Sequence, residues 1–506
     1  MLFNSILYLL FFFVVFFFYW ILKEKLRKYL LVFASMIFYA TWGLNEEGLL
    51  GIRWSFHFFG MILISHFFNI LMGKYPKHKK TILFFLILIL VGNLVFFKYS
   101  VFLKRIFLDL GFPLKFLENY KGVFLPLAIS FYTFQIIAYS VDMYRGHIKE
   151  QRSFIDYFLF IIFFPQLIAG PIMRYSDFFY QKPVLEEKNV YLGSWYFLQG
   201  LVKKVLIADP MGNLISVVFQ YPETFINYQI LLGGVGFSIQ VYCDFSGYTD
   251  IARGSALLLG YNIPENFNAP FFSRSARELW QRWHITLATW LRDYIYIPLG
   301  GSKISEFRTY LNQIITFTIG GFWHGADYTY IAWGSFWGFL LSIERFVENK
   351  LKINTIPTKN VFLIVLKVLL IFYLFSLGAL MFRANPVQFP EKEYRSVEIM
   401  IQLLKGSFMN TSSKIKEEFI QNKGDYEFIK NTMGENFLEM NQIPYLDTYL
   451  VMFLMTLVFH ILQYQSKLIE NYATRLWLLV FMFMLFGGII IPALAKTGNQ
   501  FIYFVF

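Results

Sequence analysis

The chain has 506 residues, 57% of them hydrophobic, with 63 Phe, 33 Tyr and 11 Trp and only 15% charged. Apolar runs long enough to cross about 30 Å of hydrocarbon recur from end to end, which excludes a soluble globular domain and predicts an all-α polytopic membrane protein. The formal net charge of +12 sits in short basic clusters between those runs, where the positive-inside rule places them, so it reads as topology and not as a nucleic-acid site.

The first 22 residues lack a basic leader and a small-residue cleavage pattern, and Lys23, Lys25, Arg27 and Lys28 follow the apolar run instead of preceding it. A retained first span with its N-terminus outside is therefore expected. Further spans fall at about 29–42, 52–72 and 82–97, with Glu46 and Glu47 on an external loop and Lys74, Lys77, Lys79 and Lys80 on an internal one. After the fourth span, Lys98, Lys104, Arg105, Lys115 and Lys121 stand on the side that should be external. Phe102, Ile106, Phe107 and Leu110 keep a helical period there, so an interfacial helix against lipid headgroups is expected.

Pro126 lies in the fifth span (about 123–141), and Pro165 with the Ala169-Gly-Pro-Ile172 run lies in the sixth (about 154–173). Both should be broken at membrane depth, which is tolerated only where the backbone is buried in protein or lines a wet cavity. Residues 195–209 are amphipathic and carry Lys203 and Lys204. The next apolar stretch, 231–259, is interrupted by Gln240, Asp244, Ser246, Tyr248, Asp250 and Arg253. Asp244, Asp250 and Arg253 each cost a few kcal/mol in lipid unless paired or facing a polar cavity. An Asp250–Arg253 pair is the simplest structural account.

Between 280 and 294, Trp280, Trp283, Leu287, Trp290, Leu291 and Tyr294 recur at three- and four-residue steps. Arg277, Gln281, Arg282, Arg292 and Asp293 crowd the flanks, and Pro298, Gly300 and Gly301 end the segment in a turn. The pattern predicts a short, tilted or half-submerged helix with His284 on its apolar stripe. A second Trp-His pair, Trp323-His324, follows 40 residues later with Gly320, Gly321 and Gly325 around it. Those glycines permit close backbone approach or local unwinding. A single histidine on an aromatic face is accounted for by packing; two Trp-His pairs this close point to a shared polar site. An imidazole in an apolar, partly wet pocket can act as general base on a hydroxyl, or it can simply bond a carbonyl at a helix break.

Additional spans are expected at about 310–322, 328–347, 361–381, 448–463 and 476–494, giving about 11 to 13 membrane segments in all. Residues 385–447 are rich in Lys, Glu, Asn and Gln and read as a polar insertion on one membrane face. The organisation expected is N-terminal helices over 1–125, a core over 126–347, one helix over 348–384, the insertion, and C-terminal helices over 448–506. The phosphate-binding Gly-rich loop, the Gly-x-Ser-x-Gly elbow and the His-Glu-x-x-His helix have no counterpart in the sequence. With one cysteine, Cys243, there is no disulfide and no multi-cysteine metal site, and no metal is expected.

The run Asn268-Ala-Pro-Phe-Phe-Ser-Arg-Ser-Ala-Arg-Glu-Leu-Trp-Gln-Arg-Trp-His-Ile-Thr-Leu-Ala-Thr-Trp-Leu-Arg-Asp-Tyr-Ile-Tyr-Ile-Pro-Leu-Gly-Gly301, followed by Trp323-His-Gly-Ala326, strongly resembles the membrane-bound O-acyltransferase (MBOAT) family. Matches at 126–135, 164–172 and 242–250 extend the resemblance, which is to the bacterial alginate and peptidoglycan O-acetyltransferase branch. The resemblance implies a ring of helices around a central tunnel, with His324 as the catalytic histidine and His284 as a second histidine of the same site. Trp280, Trp283, Arg282, Arg292, Asp293, Trp323, Asp244 and Asp250 are the candidates for lining the cavity or receiving the donor. Arg274, Arg277, Arg282 and Arg292 could attract the phosphates of a coenzyme or carrier arm, or snorkel to lipid phosphates.

By the same resemblance no cofactor is tightly bound. The donor is acetyl-CoA or another acyl thioester entering from the cytoplasm, and the final acceptor is an envelope polysaccharide. A periplasmic or extracellular acyltransferase is the implied partner, and the bacterial cytoplasmic membrane the implied location. The D-alanyl transferases of teichoic acid synthesis, which draw on an acyl carrier protein, share the motifs and form the first alternative. A flippase for lipid-linked sugars and a non-catalytic scaffold are the alternatives from other classes. A flippase has no evident need for two Trp-His pairs, and a scaffold predicts that both histidines can be changed without phenotype.

Overall fold

A computed structural model of the chain describes residues 3–112, 120, 122–168, 170–220, 222, 225, 227–352, 359–384, 396–408, 446–465 and 487–488. The described residues are helical, with a single isolated β-bridge and no strand. Four helical runs among them are long and apolar enough to cross a membrane: Glu24–Lys74, Pro76–Asp109, Asn227–Leu258 and Val361–Arg383. The chain is a polytopic integral membrane protein. Its contacts divide it into two compact units, one built from 1–201, 248–266 and 470–498, the other from 202–247, 267–469 and 499–506.

The first unit opens with α1 (Ile6–Ile21), α2 (Glu24–Glu47) and α3 (Ile52–Lys74). α1 starts where Ser5 accepts a hydrogen bond from the Tyr8 N–H, satisfying a donor that the first helical turn leaves open. After α4 (Lys79–Leu94) the helix does not stop near residue 97. It continues through a π turn at Val95–Tyr99 into α5 (Ser100–Asp109). Lys98, Lys104 and Arg105 thus belong to a continuous run of 34 residues, not to a separate interfacial helix; residues 113–119 of that expectation lie outside the described ones.

Both proline-bearing spans are interrupted. Ala128 is left-handed (φ 59°), so α6 (Ile129–Arg145) begins only beyond Pro126. α7 (Phe154–Ile162) ends at the start of the Pro165 segment. The backbone it releases finds partners inside the protein: Ser35 Oγ accepts from the Phe164 N–H at 3.1 Å, and Gln135 Nε2 donates to the Phe160 carbonyl at 2.7 Å. This satisfies the requirement for irregular backbone at membrane depth. α8 (Tyr175–Phe179) and α9 (Glu187–Val202) follow. Arg253 pairs with Glu265 at 3.4 Å and lies over the Tyr196 ring, so the expected Asp250–Arg253 pair is not formed.

The second unit holds α10 (Asp209–Gln220), most of α11 (Asn227–Leu258), α12 (Ala276–Arg282), α13 (Ile285–Leu291), α14 (Glu306–His324), α15 (Tyr328–Lys350), α16 (Val361–Arg383), α17 (Ser396–Phe408) and α18 (Leu446–Tyr464). α14 and α15 form a hairpin whose backbones nearly touch at Gly321 and Gly334: a Cβ on Gly321 would lie 2.8 Å from the Gly334 Cα and press into the Tyr330 carbonyl. Small residues let membrane helices approach this closely. The glycines before His324 therefore serve close approach, and α14 stays helical up to the histidine. Apart from α17 and the first two residues of α18, the polar insertion over 385–447 lies outside the described residues, and so does the span expected at 476–494 except for 487–488.

Candidate active site

The sequence pattern predicts one amphipathic helix over 280–294; the structure breaks it in two. Ser275 caps α12 by accepting from the Glu278 N–H at 3.1 Å, while the Glu278 carboxylate accepts from the Arg274 N–H at 2.8 Å. These contacts fix the helix start. α12 ends as Trp283 turns extended and forms an antiparallel bridge with Phe267, beside an Asn268 N–H to Arg282 carbonyl bond of 2.9 Å. His284 then takes a left-handed conformation (φ 45°, ψ 51°) and leads into α13. That geometry costs a non-glycine residue roughly 1–2 kcal/mol, and it moves the imidazole off the stripe where helical spacing placed it.

The break brings the two histidines together. His284 is 1% exposed and His324, the last residue of α14, is 8% exposed. Their ring centroids are 6.4 Å apart. Phe245 meets His284 edge-on at 4.7 Å, and Trp323 stands 6.3 Å from His284 and 5.1 Å from His324. His324 is framed by Trp333 at 5.2 Å and Phe382 at 5.3 Å, both edge-on. It lines a small, partly open cavity walled by Phe237, Trp283, Trp333, Phe375 and Phe382. Among these aromatic and aliphatic neighbours His324 is the one ionisable side chain in the wall.

The other candidates divide. Trp283 lines the cavity, whereas Trp280 packs behind α12 against Phe317, Trp333 and Trp337. Asp244 is buried against Lys204, whose ammonium lies 2.6 Å from Asp244 and 2.8 Å from Asp209. This ion triad answers the cost of the aspartates in the interior. Asp250 is buried in the first unit. Arg292 and Asp293 pair with each other at 2.7 Å, with the arginine side chain 58% exposed.

The arginine cluster is engaged by protein acids. Arg274 and Arg282 both bind Glu278, and Arg277 binds Glu348 at 2.5 Å. Burial alone would raise the Glu278 carboxyl. The Arg274 hydrogen bonds and the charges of Arg282 and Arg274 outweigh it and hold the group below its ordinary value. Among the described residues, no three His, Cys, Asp or Glu side chains converge as metal ligands would.

Sequence reasoning missed several residues of this unit. Phe237, Phe375 and Phe382 line the cavity but are lost among the 63 phenylalanines of the chain. Arg383, at the end of an apolar helix, is buried with its guanidinium on Gln240 Oε1 at 2.6 Å. His460 of α18 is fully buried, stacked on Phe271. The signal for α18 was present: Thr456, His460 and Gln463 form a polar face at four- and three-residue steps in an otherwise apolar helix.

A buried histidine pair, one member of which lines an aromatic cavity inside an integral membrane protein, fits the class of membrane-embedded group-transfer enzymes. The chain is a member of the membrane-bound O-acyltransferase family, which it matches over residues 37–384. Its relatives include a probable alginate O-acetylase of Pseudomonas aeruginosa, 38% identical over 386 residues, covering 74% of this chain and 70% of that protein. The peptidoglycan O-acetyltransferase of Helicobacter pylori is 37% identical over 353 residues, covering 63% of this chain and 64% of that protein. A teichoic acid D-alanyltransferase of Bacillus subtilis is 31% identical over 278 residues, covering 51% of this chain and 69% of that protein.

Proposed function

We propose that this O-acyltransferase moves an acetyl group from a cytoplasmic thioester, with acetyl-CoA as the simplest donor, towards hydroxyl groups of a bacterial envelope polysaccharide. The observation that carries this reading is the close His284–His324 pair, with His324 lining an aromatic cavity. His324 takes the hydroxyl proton as the oxygen attacks the thioester carbonyl. The tetrahedral intermediate then expels the thiolate, which receives the proton. His284 orients the reacting groups or passes the proton on. General-base assistance of this kind contributes about 10²–10⁴ in rate.

The O-acetyl transferases named above match this chain at higher identity and over more of its length than the D-alanyl transferase does, which favours acetyl over D-alanyl transfer. A carrier-protein donor belongs to the second reading. An exported acyltransferase that completes polymer modification fits the first, with the enzyme in the cytoplasmic membrane and its N-terminus outside. Trp283 and Trp323 wall the site. Arg282, Arg292, Asp293 and Trp280 are assigned to shaping the protein around it, because each is occupied by protein partners.

Mass spectrometry of envelope polymers from a deletion strain tests the reading. Loss of O-acetyl esters, restored by the wild-type gene, is expected. Loss of D-alanyl esters alone would move the assignment to the second reading, and unchanged acylation would overturn both.

A further inference from the structure

α18 lies beyond the part of the chain that matches the family, yet its polar face is pressed against the segment that shapes the histidine turn. Gln463 Oε1 accepts the Ala269 N–H at 2.9 Å and the Tyr242 hydroxyl at 2.8 Å, while its Nε2 donates to the Phe267 carbonyl at 2.9 Å. One side-chain amide therefore holds the backbone on both sides of Asn268. One turn earlier on the same face, the His460 ring stacks on Phe271 at 4.8 Å and meets Tyr242 at 4.3 Å. Its Nδ1 is bonded to the Thr456 carbonyl at 2.9 Å.

The segment held in this way is strained. Ala269 is left-handed at φ 44°, and so is His284 at φ 45°; the Phe267–Trp283 bridge lies between these two residues along the paired backbone. Non-glycine residues persist in that region only where their surroundings over-determine them. A leucine at 463 would fill the space but leave the Ala269 N–H and the Phe267 carbonyl without this partner. The bridge would then lose its external restraint, and the chain would be free to relax towards the single helix that its apolar spacing favours.

We infer that Gln463 is a positioning residue of the reaction: it fixes Phe267 and Ala269, through them the bridge to Trp283, and through Trp283 the placement of His284 opposite His324. This rests on the histidine pair being the site of acyl transfer. Displacement of a reacting group by about 1 Å costs up to about a hundredfold in rate, and the effect falls on turnover because Gln463 is not among the residues lining the cavity.

The test uses the full chain in membranes of an expressing strain that contain the endogenous acceptor, with radiolabelled acetyl-CoA as donor. Gln463→Leu should lower kcat by about ten- to a hundredfold, with the donor KM within about twofold of wild type. Gln463→Glu keeps the two accepting bonds but sets a carboxylate oxygen against the Phe267 carbonyl in place of the amide donor, and should also lower kcat. Wild-type kcat in Gln463→Leu or a change confined to KM would overturn the inference. If Gln463→Leu does not accumulate, Tyr242→Phe removes one of the three bonds without that risk. It should lower kcat severalfold, and an unchanged kcat would overturn the inference. His324→Ala in the same membranes separates the two levels. Transfer that survives it removes the underlying reading, whereas transfer abolished by it but untouched by Gln463→Leu removes the inference alone.

Discussion

Replacing Gly321 by alanine places one methyl group at the crossing of α14 and α15, three residues before His324. The new Cβ would stand 2.8 Å from the Gly334 Cα and 2.9 Å from the Gly334 N, and would overlap the Tyr330 carbonyl oxygen. Ordinary contacts between such atoms lie at about 3.5–4.0 Å, so the helices must part by roughly 1 Å. All three obstructing atoms are backbone, which leaves no side chain to swing aside. Overpacking of this kind costs about 1–3 kcal/mol. On the proposed role of His324, a 1 Å shift of its end of α14 should lower the rate by up to about a hundredfold. Thermal unfolding in detergent and acetyl transfer in membranes read the two effects separately. Gly92→Ala, a site on α4 with no atom within 4 Å of the added methyl, controls for helix propensity and should leave both unchanged or raise stability by up to about 1 kcal/mol. A Gly321→Ala protein with wild-type midpoint and wild-type transfer would refute the reasoning.

Lys204→Met removes the cation that Asp209 and Asp244 share inside the protein and should cost about 3–5 kcal/mol, seen as loss of folded protein on size-exclusion chromatography; adding Asp244→Asn should recover part of it. Glu278→Gln tests the paired carboxylate of α12. Its folded pKa lies below the unfolded one, so its stabilisation is present above the ordinary carboxylate range and fades as pH falls through the folded value. The variant should therefore unfold more readily than wild type at neutral pH, with the gap closing in acid. At His284, Asn tolerates the left-handed backbone better than Ala does. His284→Asn should thus keep a higher unfolding midpoint than His284→Ala, although both lose transfer.

Apolar run length places the long elements well because it is a local property. The run expected at 361–381 is α16 at Val361–Arg383, and the one expected at 52–72 is α3 at Ile52–Lys74. Local pattern misleads where a distant segment overrides local preference. Trp280 to Tyr294 has helical spacing, yet Trp283 is claimed by Phe267, 16 positions upstream, and no hydrophobic pattern encodes that pairing. Arg253 likewise takes Glu265 beyond the helix end in preference to Asp250 one turn away. The closeness of His324 and His284, whose ring centroids lie 6.4 Å apart, is legible through the two Trp-His pairs. Gln463 and His460 were not singled out, because a few polar residues in an apolar helix acquire meaning only when their partners at 242, 267, 269 and 271 are known.

Acetyl transfer by purified wild-type and His324→Ala protein, reconstituted at equal amounts with labelled acetyl-CoA and an acceptor polysaccharide, bears most directly on the role of this histidine. With His324 as general base, the variant should remain folded and lose about 10²–10⁴ in rate. A folded His324→Ala protein that transfers acetyl at the wild-type rate would contradict that role.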